Sequence, residues 1–92
     1  MQFAKALRSR VRSGEVTCSV RIWKSPRVKV GGRYALPPGE IEVTDIRGLL
    51  PEQITPKLAR RSGFASVEAL LETARHGSGE LIFLVEFVYR EV

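Results

Sequence analysis

The segment Leu81-Ile82-Phe83-Leu84-Val85-Glu86-Phe87-Val88-Tyr89 constrains this chain most. It is almost continuously apolar and rich in β-branched and aromatic residues. That pattern predicts a strand covered on both faces rather than one with a dry side and a wet side. Such a strand needs a packed layer against each side of its sheet. A chain of 92 residues has room for one core of that kind, so a single domain over residues 1–92 is expected. The longest unbroken apolar run, Leu81 to Val85, is far short of the roughly 20 residues that span a bilayer. No membrane partner is expected.

Shorter signals order the rest of the chain. Phe3, Leu7 and Val11 recur at spacing four over residues 3–13, with Ala4 and Ala6 beside them and Lys5, Arg8 and Arg12 on a separate stripe. This predicts a helix, stopped at Gly14. Residues 16–23 alternate: Val16, Cys18, Val20 and Ile22 form one face, and Thr17, Ser19, Arg21 and Trp23 the other. Period two is a strand with one buried side. A basic turn, Lys24 to Gly32, leads to a short strand at Arg33 to Leu36 and the break Pro37-Pro38-Gly39. A second alternating run follows from Glu40. Ile46 and Leu49 are out of phase with Ile41 and Val43, which places a bulge or bend near Thr44–Asp45.

Thr55-Pro56 reads as an N-cap with proline at the first helical position, and Gly63 as the stop. Ser66 caps a second helix from Val67 to about Arg75, with Val67, Leu70, Leu71 and Ala74 inward. His76-Gly77-Ser78-Gly79 breaks it, with His76 as a terminal residue that complements the helix dipole. The element order predicts an α+β fold: a small mixed β-barrel with an N-terminal helix and two short helices packed on it.

Charge adds what periodicity lacks. The net charge of +5 is unevenly spread. Residues 1–33 hold nine Lys or Arg and one acid, Glu15, whereas residues 34–92 hold six bases and nine acids. Clustered positive charge attracts polyanions through counterion release, although it also serves as a solvated face. One cysteine, Cys18, allows no disulfide within the chain and no partner for one. It lies on the apolar face of its strand, where a thiol is inert, and a reducing, cytoplasmic setting is expected. The opening residues lack an apolar core of the secretory type, so no export signal is expected.

Several segments together carry a resemblance. They are Gly14-Glu15-Val16-Thr17-Cys18-Ser19-Val20-Arg21, Val28-Lys29-Val30-Gly31, Ile41-Glu42-Val43-Thr44, Ile54-Thr55, Gly63-Phe64-Ala65-Ser66-Val67-Glu68-Ala69-Leu70, and Phe83-Leu84-Val85-Glu86-Phe87. In this order, over about residues 3–88, the chain resembles the ASCH-domain family of the PUA-like superfamily. The resemblance implies a small β-barrel that binds RNA or modified nucleosides in a cleft beside the barrel. Some members resemble amidohydrolases of acetylated cytidine, and others metal-dependent ribonucleases. The hydrolase set is a lysine two residues after the glycine, a threonine three further on, and a glutamate on the first of the two capped helices. Those positions hold Val16, Ser19 and Ser62 here. Valine cannot act as a general base, so the departure puts that chemistry in doubt.

The candidate site is therefore a binding cleft without catalytic residues, metal or cofactor. Thr17, Ser19, Arg21 and Trp23 would line it, offering hydroxyls, a guanidinium and a stacking surface. Lys24, Arg27, Lys29 and Arg33, with Arg8 and Arg12 from the first helix, would form a basic rim for phosphates. The plainer reading is the polar side of an ordinary strand with Trp23 half-buried under a loop. The acids Glu40, Glu42 and Asp45, and the pair Glu68 and Glu72, lack a third ligand at a convincing spacing for a hard metal. The expected partner is RNA or a nucleotide-like ligand. The alternatives are a metal-dependent ribonuclease, a hydrolase of a modified nucleoside, or a protein-interaction module using the acidic C-terminal portion.

Overall fold

The computed structural model describes residues 3–74 and 81–91. Four strands form one sheet in the order β1-β4-β3-β2: β1 (Cys18–Trp23), β2 (Arg33–Leu36), β3 (Gly39–Leu49) and β4 (Leu81–Glu91). The helices are α1 (Lys5–Arg12), α2 (Pro56–Arg61) and α3 (Val67–Ala74), with a single 3-10 turn at Pro51–Gln53. The sheet curls into a half-barrel.

The apolar strand takes the inner place that its composition requires. β4 pairs with β1 on one side and β3 on the other. Its consecutive residues Leu84 and Val85 are both buried, and they belong to different apolar clusters. Neighbouring strand residues point to opposite faces, so both faces of β4 are covered. On one face Val85 and Phe87 pack with Val43, Ile41, Val11 and Phe3, under α1. The rings of Phe3 and Phe87 meet edge to face at 5.4 Å. On the other face Leu84 packs with Cys18, Val20 and Ile22, under Leu58 and Ala59 of α2 and Leu70 and Ala74 of α3.

The strand directions differ from the sequence expectation. All three strand pairings are antiparallel, so the sheet is not mixed among the described residues. Two helices lie between β3 and β4, a length of chain that also suits a parallel crossover. Instead Leu49 at the end of β3 sits opposite Ile82 at the start of β4, so the excursion through α2 and α3 returns to the end of the sheet it left. The edge strands β1 and β2 do not pair with each other, which leaves the barrel open among the described residues.

The bulge lies where the phase slip places it. The register shifts between Val43 and Asp45, and Ile46 then joins the same cluster as Ile41 and Val43. Leu49 falls on the opposite face, against the helices. Val16 also departs from its expected face. It precedes β1 and packs in the α1 cluster, whereas Cys18, Val20 and Ile22 pack beneath α2 and α3.

The caps form as expected. The Leu58 amide donates to Thr55 Oγ1 at 3.2 Å, and the Ala69 amide donates to Ser66 Oγ at 3.1 Å. Each satisfies one of the amides that a helix start leaves without a partner. Gly63 ends α2 at φ +93°. The expected break at His76 to Gly79, and the dipole role of His76, lie outside the described residues.

Candidate nucleic-acid interface

The alternation of β1 sends Cys18, Val20 and Ile22 towards α2 and α3, and turns Ser19, Arg21 and Trp23 to the α1 side of the sheet. There Arg21 faces Phe83 and Trp23 faces Leu81 across the β1–β4 ladder. All three are half-buried. Arg21 is held in place: its Nε donates to Ser19 Oγ at 2.8 Å, and its guanidinium carbon lies 5.3 Å from the centre of the Phe3 ring. That ring presents its negative face to the cation. Burial pushes the Arg21 pKa below its ordinary value through desolvation, but a guanidinium remains charged at any ordinary pH. The Trp23 and Phe83 rings sit at a tilt of 36°, with centres 6.0 Å apart. Phe3 and Phe83 thus frame the cation and the indole, and neither is among the residues the sequence points to. Phe3 reads there as helix stripe and Phe83 as sheet core, and only the register brings them beside Arg21 and Trp23.

Thr17 is exposed and lies one residue before the strand, where its carbonyl accepts from the Phe87 amide at 3.0 Å. Lys24, Arg27 and Lys29 are exposed on the loop between β1 and β2. That loop is anchored rather than loosely draped. Val28 is buried in the α1 cluster, the Gly31 amide donates to the Val43 carbonyl at 2.7 Å, and the Val43 amide donates to the Gly32 carbonyl at 3.0 Å. The Lys29 amide donates to the Tyr34 hydroxyl at 3.2 Å. The second half of the loop, from Val28 to Gly32, is therefore fixed to the sheet, and the basic side chains along the loop are exposed.

The remaining rim residues are engaged locally. Arg8 Nε donates to the Phe3 carbonyl at 3.2 Å, and Arg12 Nε donates to the Pro37 carbonyl at 2.7 Å. Arg33 stands 3.7 Å from Glu40. The first two bonds secure the start of α1 and join its end to the β2–β3 turn. All three side chains are exposed, so part of each guanidinium still faces solvent.

The positions that correspond to the resembled hydrolase set do not converge. Val16 is buried under α1. Ser62 is buried on the other side of the sheet, where its hydroxyl donates to the Leu58 carbonyl at 3.0 Å and lies 3.6 Å from Cys18 Sγ. Ser19 holds Arg21, and a guanidinium donates hydrogen bonds but accepts no proton. The acids stand beside arginines: Asp45 with Arg47 at 3.4 Å, and Glu42 with Arg90 at 3.6 Å. Among the described residues no three His, Cys, Asp or Glu side chains cluster as a metal site would require. The chain matches no protein-family model, no curated protein and no solved structure.

Proposed function

We propose that the chain is an RNA- or nucleotide-binding module of the PUA-like, ASCH type, with its ligand against the Ser19–Arg21–Trp23 face of β1. The arrangement of Arg21 carries this reading. Ser19 and Phe3 orient a half-buried guanidinium on the same face as Trp23, and positive charge beside a stacking surface suits a phosphate with its adjoining base. Trp23 beside it supplies a surface on which a base stacks, and such stacking is worth about 1–3 kcal/mol per base. Lys24, Arg27 and Lys29 on the adjoining loop supply the long-range attraction for a polyanion. A cytoplasmic location suits the lone thiol Cys18, since thiols persist unpaired in reducing compartments.

Trp23 is the sole tryptophan, so intrinsic fluorescence reports on this face directly. Titration with short single-stranded RNA at low salt should quench it saturably. Arg21→Ala should weaken the binding by about 1–3 kcal/mol, the size of a lost charge-assisted contact. An unchanged affinity in that variant refutes the placement of the ligand.

A further inference from the structure

We propose a second site, on the opposite face of the sheet: a groove between α2 and the end of β3 that takes a small phosphate monoester carrying an apolar or planar body. The groove is open to solvent and offers about 320 Å³, with Leu49, Leu58 and Leu84 as apolar lining and Arg47, Lys57 and Arg61 around it. That volume is at the small end of the range for ligand pockets.

Two parts of the chain converge to make it. Lys57 and Arg61 are four residues apart on α2, hence on one stripe of the helix. Arg47 lies opposite Leu84 in the β3–β4 register, and Leu84 is in the apolar cluster beneath α2 and α3. The bulge at Val43/Asp45 sets this placement, because it decides which of the later β3 residues face the helices.

The charges favour an anion with several oxygens. Asp45 stands 3.4 Å from Arg47 and Glu86 stands 3.6 Å from Arg61. Both separations exceed the roughly 2.7–2.9 Å of a charge-assisted hydrogen bond, so the acids offset charge without engaging the N–H forks closely. Lys57 has no acidic partner among the described residues. Three cations against two acids leave the groove positive, and two planar forks with one ammonium match the three oxygens of a phosphate head better than the two of a carboxylate. Thr55 Oγ1 accepts from the Leu58 amide, which leaves its hydroxyl hydrogen to donate at the rim. The apolar lining gives no anchorage to a bare phosphate and calls for an apolar body on the ligand.

The site is independent of the proposed RNA face. Arg47 and Leu84 point to one side of the sheet, and Ser19, Arg21 and Trp23 to the other. Phenyl phosphate, benzoate and inorganic phosphate, each titrated into the isotope-labelled protein, test the proposal by amide chemical shifts. Phenyl phosphate should shift the amides of Arg47, Leu49, Lys57, Leu58, Arg61 and Leu84 along one saturating curve and leave those of Ser19 and Arg21 in place. Lys57→Gln, at an exposed position with no ion pair among the described residues, should weaken binding about two- to fivefold, as expected for one surface charge. Arg61→Gln should weaken it further, and an unchanged fingerprint spectrum elsewhere shows whether that variant is folded. Absence of saturable shifts, or an unaltered affinity in Lys57→Gln, overturns the site. Equal binding of inorganic phosphate overturns the role of the apolar lining, and equal binding of benzoate overturns the choice of phosphate. The Trp23 titration with RNA is unaffected by any of these outcomes, so the two proposals fail separately.

Discussion

Replacement of Gly63 by alanine tests how closely α1, β1 and α2 are fitted together. Gly63 carries φ +93°, a backbone conformation that L residues rarely adopt. A Cβ added there would lie 2.5 Å from Leu7 Cδ2 of α1 and 3.2 Å from Val16 Cγ2. Its carbonyl also accepts from Arg10 Nη1 at 3.0 Å, which ties the end of α2 to α1. Two terms therefore add. The left-handed backbone costs about 1–2 kcal/mol for a residue with a Cβ. Crowding of a packed contact adds about 1–3 kcal/mol. The Leu7 side chain can swing away, but Val16 is buried and β-branched, so it yields less. A total of roughly 2–5 kcal/mol is expected. Gly14→Ala isolates the first term. Gly14 has φ +81°, and nothing lies within 4 Å of the added Cβ. Urea unfolding of both variants and the parent, followed by Trp23 fluorescence, gives the difference. With a slope of roughly 1 kcal/mol/M, Gly63→Ala should lower the midpoint by about 2 M or more, and Gly14→Ala by about half as much. Equal shifts in the two variants would refute the steric argument and the close approach of α1 to the end of α2.

Three further outcomes follow from single contacts. Thr55→Ala removes the N-cap acceptor of α2 and should lower stability by about 1 kcal/mol in the same urea assay. Lys24→Gln should reduce the slope of log affinity for single-stranded RNA against log salt by about 0.7, with the affinity falling alike for every sequence tested. Cys18, fully buried and within hydrogen-bond distance of the Ser62 hydroxyl, should be unreactive towards a thiol reagent in the native protein and react only as the chain unfolds, at a rate that rises with urea.

Much of the local structure is legible along the chain because it depends on neighbours two to four residues away. The alternation of Cys18 to Trp23, the caps at Thr55 and Ser66, and the phase slip near Thr44–Asp45 are all of this kind. So is the inner position of Leu81 to Tyr89, since apolar residues at successive positions need cover on both faces. The strand direction was not legible. Nothing between Leu49 and Leu81 states that the helical excursion returns to the end of the sheet it left, and the antiparallel pairing of β3 with β4 depends on that return. The candidate interface was half legible. Ser19, Arg21 and Trp23 share a face by alternation alone. Phe3 and Phe83 join them through contacts that link residues 18 or more apart.

Patterns along the chain fix the order of the elements, the inner place of Leu81 to Tyr89 in the sheet, and the gathering of positive charge in the first 33 residues. The tertiary structure alone decided what each cation does. Arg8 and Arg12 bond to backbone carbonyls and Arg33 faces Glu40, although all three belong to the basic portion. Arg47, Lys57 and Arg61 belong to the portion with more acids than bases, yet they surround one groove. A charge summed along the chain is blind to this. Electrostatic attraction depends on distance in space, and strand register, the bulge in β3 and the helical return set those distances.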